Sequence, residues 1–274
     1  MRGTLVIALA AACGGGSSGS SDGGSGSAAP DPRFKWVGAY SSYATGVQYV
    51  GGNGVDFTST MDVYSPAAVG SGGEALVFDF TPPPGLAFTS AFSEAAGSAQ
   101  MQAMTAVATS LAFTSTDVVL TSAMPNATTT AHVANGGSAG DLAGDVATAA
   151  ASGYVTTAIG FDGTQRVMAS YADSSVTATY DTTAQTGDIT EIATMASAIA
   201  GSAYVITAFG QVDGSNFGMV GARESGWTAT HDAMTVSLAV GGSDGALADA
   251  QMQGYVVVGG YFSDPLTAVF VLER

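Results

Sequence analysis

Three stretches of this chain copy one another, and that self-similarity constrains the fold more than any other feature. GYVTTAIGFDG from Gly153, AYVITAFGQVDG from Ala203 and GYVVVGGYFSD from Gly254 align almost without gaps, which puts Tyr154, Tyr204 and Tyr255 at intervals of 50 and 51 residues. A second signature follows the first two at fixed distance, VTATYD from Val176 and WTATHD from Trp227. Weaker copies lie upstream: AVATSLAFTSTD from Ala106 with TTTAH from Thr128, and WVGAYSSY from Trp36 with TSTMD from Thr58. The interval from 36 to 106 is too long for one unit, and calls for an insertion of about 20 residues or a degenerate extra unit around Leu86. A period near 50 implies units that bury their faces only against their neighbours.

Each unit reads as short strands between turns. From Tyr154 to Phe161 the residues alternate and end at Asp162-Gly163, a two-residue hairpin signal. Residues 165–171 form a second strand, Val176 to Tyr180 a third and Ile189 to Met195 a fourth. Thr, Val, Ser and Tyr in short runs, with 38 glycines and only 10% charged residues, agree with an all-β chain. Four strands per unit match a β-propeller blade, so the expected fold is a four- or five-bladed propeller, with a β-sandwich or solenoid as the alternative. Small residues at Ala158, Gly160, Ala208, Gly210, Gly259 and Gly260 suit the crowded region near a propeller axis. The last unit has two strands before Arg274, so closure would draw the missing ones from the segment starting at Phe34. TPPPGLAFTSAF, from Thr81 to Phe92, breaks the pattern; Pro82, Pro83 and Pro84 exclude it from a central strand and leave it as a lid, a partner-binding loop or, equally, a disordered excursion.

Cys13 is the only cysteine. It stands between an apolar run, Leu5 to Ala12, that is too short to span a bilayer, and the tract GGGSSGSSDGGSGSAAPDP from Gly14 to Pro32, which has almost nothing to bury. Residues 1–12 thus read as a signal peptide, 13–32 as a flexible tether reaching roughly 22–26 Å, and 33–274 as the repeat β domain. The start resembles bacterial lipoproteins, whose lipobox places an aliphatic residue three positions before the cysteine. Here the sequence is Leu9, Ala10, Ala11, Ala12, Cys13, with the leucine one position further back. The resemblance implies cleavage before Cys13, diacylglycerol on its sulfur, an acyl chain such as palmitate on the new amino group, and stable anchoring by several chains. Gly14 after the cysteine implies sorting to the outer membrane, facing the periplasm or the cell surface.

Net charge is −16, and loss of Arg2 with the signal leaves 22 acids against five bases, −17. A chain so short of cations is not a nucleic-acid binder. Cationic or neutral partners suit it better, although acidity also keeps an Ala/Gly-rich surface soluble. With no cysteine after position 13, disulfides, thiolate catalysis and cysteine metal sites are excluded from the domain.

His132 and His231 fall at roughly matching places in the units, as metal ligands or acid/base groups would, but Tyr180 and Met61 share that position and speak for a tolerant site. His231 beside Asp232 lacks any nucleophile motif, and adjacent strand residues point to opposite faces. The pairs Asp162-Gly163, Asp213-Gly214 and Asp244-Gly245 read as hairpin turns and not as calcium loops. The architecture resembles five-bladed propellers that hydrolyse polysaccharides with carboxylates near the axis. The matching candidates are Asp62, Asp181 and Asp232, with only Trp36 and Trp227 to stack on sugars. No catalytic, cofactor-binding or metal residue is assigned and no cofactor is expected. The expected role is a lipid-anchored binding or scaffold module with a protein or glycan partner, the alternative being a polysaccharide-binding or glycoside-processing propeller.

Overall fold

A computed structural model describes residues 106–113, 117–123, 129–137, 139–174, 179–239, 245–264 and 266–274, together with four earlier strands at 47–50, 63–69, 75–80 and 88–95. Cys13, the tether, Trp36, Asp62, Pro82–Pro84 and Asp244 lie outside the described residues.

The described chain is mostly β-strand. Its strands are β1 (Val47–Val50), β2 (Val63–Val69), β3 (Ala75–Phe80), β4 (Phe88–Ala95), β5 (Val107–Phe113), β6 (Asp117–Ala123), β7 (Thr129–Gly136), β8 (Val155–Phe161), β9 (Arg166–Asp173), β10 (Tyr180–Gly187), β11 (Val205–Gln211), β12 (Phe217–Glu224), β13 (Ala233–Ala239), β14 (Val256–Asp264) and β15 (Thr267–Glu273). They form five three-stranded antiparallel sheets, and in every sheet the third strand in sequence lies between the other two: β1-β3-β2, β4-β6-β5, β7-β9-β8, β10-β12-β11 and β13-β15-β14. First and second strands of a sheet therefore run parallel with the third between them. Such an arrangement needs a crossover connection, and in the last three sheets a helix supplies it. These helices are α1 (Leu142–Ala151), α2 (Ile192–Gly201) and α3 (Gly245–Met252).

The helices correct the expected fourth strand at 189–195. Ile192, Met195, Ala196, Ile199 and Ala200 are the buried residues of α2, an i, i+3, i+4, i+7, i+8 stripe. Asp188 and Glu191 start it: Asp188 Oδ1 accepts from the Thr190 N–H at 2.8 Å, while the Asp188 N–H donates to Glu191 Oε2 at 3.0 Å. At the other end the Tyr-containing signature is a helix stop before it is a strand. Gly153, Ala203 and Gly254 have φ of 81°, 64° and 90°. The N–H of Tyr154, Tyr204 and Tyr255 reaches back to Ala149, Ile199 and Ala250 carbonyls at 3.0, 3.3 and 3.1 Å. A left-handed residue followed by this back-bond is how helices commonly terminate.

Other expectations also shift. The hairpin after β8 is a four-residue turn, 162–165, because Phe161 pairs with Arg166; Asp162 Oδ1 accepts the N–H of Thr164 and Gln165 at 2.9 and 2.8 Å. Tyr180, expected to end a third strand, opens β10 in the next sheet. The last sheet takes its remaining strand from β13, so the segment at Phe34 is not needed to complete it. Phe88 to Phe92 belongs to β4, an outer strand of its sheet. The long interval also resolves: the second strands begin at 63, 107, 155, 205 and 256, so the partner of the Ala106 copy is Val63 and not Trp36.

All five second strands share one irregularity. Pairing to the central strand slips by a residue at Ala67, Thr109, Thr157, Thr207 and Val258. A bulge at one fixed position bends the strand and re-aims its side chains. These strands also touch one another from sheet to sheet: β2 with β5, β5 with β8, β8 with β11, β11 with β14, and β14 with β2. The small residues read as axial are buried at this seam. A methyl on Gly210 would overlap the Ile159 carbonyl oxygen and lie 2.9 Å from its carbon; one on Gly259 would lie 2.6 Å from the Phe209 ring.

The core accordingly sits between sheets. Ala108 and Leu111 of β5 pack with Ala158, Val167 and Ala169 of the next sheet. Leu142, Val146 and Ile159 pack with Ala208, Val212 and Val220, and Ile199, Phe209 and Met219 with Tyr261, Val269 and Val271. Two of the helices fill the wedge to the following sheet, α1 against β10 and α2 against β13, while α3 lies against β13 of its own sheet.

Candidate functional site

Asp181 and Asp232 keep the matching positions that the sequence assigned them, and each belongs to a row of three residues across its own sheet. In the fourth sheet Asp181 pairs with Arg223, and Arg223 stands beside Tyr204. Arg223 Nε donates to Asp181 Oδ2 at 3.4 Å, its Cζ lies 4.4 Å from the centre of the Tyr204 ring, and its Nη1 donates to the Ser202 carbonyl at 3.2 Å. Ser225 Oγ completes the shell of Asp181 at 2.8 Å. The fifth sheet repeats the arrangement. Arg274 Nη2 donates to Asp232 Oδ2 at 3.0 Å, Cζ lies 4.6 Å over Tyr255, and Nη1 donates to the Gln253 carbonyl at 3.2 Å.

Each arginine thus joins a carboxylate, an aromatic face and a carbonyl left open by the end of a helix, where the backbone dipole favours a cation. The Asp232 hydrogen bond holds the Arg274 guanidinium still more firmly in its charged form. Both pairs are partly exposed, with side-chain exposures of 27% and 42% for Arg223 and Asp181 and 43% and 65% for Arg274 and Asp232, so solvent screens each of them and neither is a major source of stability. The arginines were missed in the sequence although 51 residues separate them, as they separate the two aspartates and the two tyrosines.

The histidines are not equivalents. His132 lies in β7 opposite Ser170, three register positions away from His231, which precedes β13 and donates its N–H to the Ala200 carbonyl at 3.0 Å. His132 is exposed, and its ring lies 5.2 Å from that of Tyr154. Asp213 acts as Asp162 does: Oδ1 accepts the N–H of Ser215 and Asn216 at 2.8 and 2.7 Å. The Asn216 side chain first, then these backbone donors, hold its carboxyl below the usual aspartate range. Among the described residues no three His, Cys, Asp or Glu side chains gather as a metal site.

Buried polar groups serve the seams between sheets. Thr157, at the bulge of β8, donates to the Ala108 carbonyl of β5 at 2.6 Å. Glu273, fully buried, accepts the Ile206 N–H of β11 at 3.0 Å. Arg166, also fully buried, forms an ion pair with Asp145 of α1. Phe217 and Met195 take those two places in the next sheet, since Gly136 pairs with Arg166 as Gly187 pairs with Phe217.

No protein-family model matches this chain, and the curated proteins and the solved structures gave no match.

Proposed function

We propose that the chain is a lipid-anchored binding or scaffold module, held at the outer membrane or cell surface through Cys13, with residues 33–274 arranged as a five-bladed propeller-like ring. The placing of the only cysteine between a short apolar run and a Gly/Ser tether carries the anchoring. Support for the ring comes from the five sheets of one strand order and from second strands that touch in succession, β14 returning to β2. Each unit then counts three strands and, in the last three, a helix, in place of four strands.

A binding role is favoured by the work that Asp181 and Asp232 already do. The glycoside-processing alternative needs them in one concave site, whereas each is bound to the arginine of its own sheet. The partner is a protein or a glycan, and the acidic surface favours one with cationic groups.

Fractionation tests the anchoring. Wild-type protein should sediment with membranes and take up a labelled palmitate analogue, and Cys13→Ser should do neither. A Cys13→Ser variant that stays with the membrane would refute the anchor.

A further inference from the structure

We infer that the Tyr154 corner of the third sheet is a binding site for an arginine side chain presented by a partner protein. The inference rests on the binding reading for its partner, and on the molecule's own symmetry for its chemistry. In the fourth and fifth sheets the row Asp–Arg–Tyr is filled from within the chain. In the third sheet the same row reads Thr130, Ala172, Tyr154: Thr130 pairs with Ala172, and Ala172 stands beside Tyr154 because Tyr171 pairs with Val155. The tyrosine and the helix end are kept while the arginine is missing.

Two features of the fourth and fifth sheets' arginine sites are therefore repeated here with no cation on them among the described residues. The Tyr154 ring is half-buried at the end of α1, in the place where Tyr204 and Tyr255 carry guanidinium groups at 4.4 and 4.6 Å. The Ser152 carbonyl corresponds to those of Ser202 and Gln253, each of which accepts from an arginine Nη1 at 3.2 Å. Among the described residues no donor reaches the Ser152 carbonyl, which sits at the negative end of the α1 dipole. Exposed His132, 5.2 Å from the Tyr154 ring, gives the site a second aromatic wall. A planar group with forked donors lies flat on the ring and reaches the carbonyl; a lysine ammonium is a point charge that does one or the other. With six basic residues against 22 acids, the chain carries a net negative charge that draws such a partner in.

The test is a titration of the full chain with N-acetyl-arginine amide, followed by NMR of the tyrosine and histidine ring signals. Signals of Tyr154 and His132 should move, while those of Tyr204 and Tyr255, whose faces are taken, should not. Equal movement of all three tyrosines, or none at Tyr154, overturns the site, and equal shifts with N-acetyl-lysine amide overturn the guanidinium assignment. Tyr154→Ala should weaken binding about five-fold, read at His132. Thr130→Asp with Ala172→Arg installs the internal arginine and should abolish it; undiminished binding by that variant also overturns the proposal. Membrane fractionation with Cys13→Ser is independent of this site, so either conclusion can fail alone.

Discussion

Replacing Gly210 by alanine probes the closest approach between two sheets. The added methyl would overlap the Ile159 carbonyl oxygen and sit 2.9 Å from the carbonyl carbon. Both sides of the contact are backbone, Gly210 within β11 and Ile159 within β8, so no rotamer change relieves it. One strand must withdraw from the other, opening the seam where Ile159, Ala208 and Val220 are at most 2% exposed. Overpacking a core costs about 1–3 kcal/mol, and a rigid backbone obstacle belongs at the upper end. Lower chain entropy in the unfolded state returns less than about 1 kcal/mol. The net loss should be near 2–3 kcal/mol, or roughly 4–12 °C in Tm for a domain of this size. Urea titration is the assay, with Gly214→Ala as control, since a methyl there meets nothing within 4 Å. The midpoint should fall for Gly210→Ala at unchanged m, and hold for the control. If both variants unfold at the wild-type midpoint, the close seam between β8 and β11 is wrong.

The same geometry sets three other outcomes. Ala203→Gly should raise stability by about 1 kcal/mol, because Ala203 holds φ of 64° where its counterparts are Gly153 and Gly254; a thermal melt below wild type would count against the helix stop. Arg166 is fully buried while Asp145 keeps 41% of its side chain exposed, so Asp145→Ala should cost about 2 kcal/mol, less than a fully buried pair. The double change Arg166→Phe with Asp145→Met, copying Phe217 and Met195, should recover to within about 1 kcal/mol of wild type by denaturant melts, and a double variant weaker than either single one would sink the comparison. The carboxyls of Asp188, Asp213 and Asp264 are held below 3.8, led respectively by the Thr190 hydroxyl, the Asn216 side chain and the Leu266 N–H. Groups depressed in the folded state stabilise above their unfolded pKa and lose that contribution as pH falls through the folded one. The margin in urea midpoint of wild type over Asp213→Ala should therefore hold down to about pH 4 and narrow below it, and a margin that widens between about pH 4 and 2.5 would contradict the turn contacts.

The last three second strands were legible because they are largely buried and so retain their pattern: Val155, Val205 and Val256 open them at the spacing that the sequence announces, whereas β2 was not recognised. The first strands were visible only as the ends of the TxT signature. Thr130, Asp181 and Asp232 share a place, but the residues after them, AHVANG, TTAQTG and AMTVSL, have little in common. The helices were missed for a reason of composition. Ile192, Met195 and Ile199 carry a helical period, yet Ala196 and Ala200 complete it with residues that also suit crowded strands, and Ile and Thr suggested sheet. The arginine rows were missed because their partners lie on three strands far apart in sequence. Only the shared spacing of 51 residues pointed to them, and it stood out for tyrosine and aspartate alone.

The contact between β14 and β2 has a kinetic consequence. Every other seam joins neighbours along the chain, about 50 residues apart, whereas this one joins strands separated by roughly 190. Loop-closure entropy makes it the last to form, after the other four seams have already aligned its two halves. Until it does, the proposed ring is an open arc with an uncovered face at each end, and those faces fit each other whether they belong to one molecule or two. Dilute refolding should favour the closed monomer, and crowded refolding the head-to-tail chain.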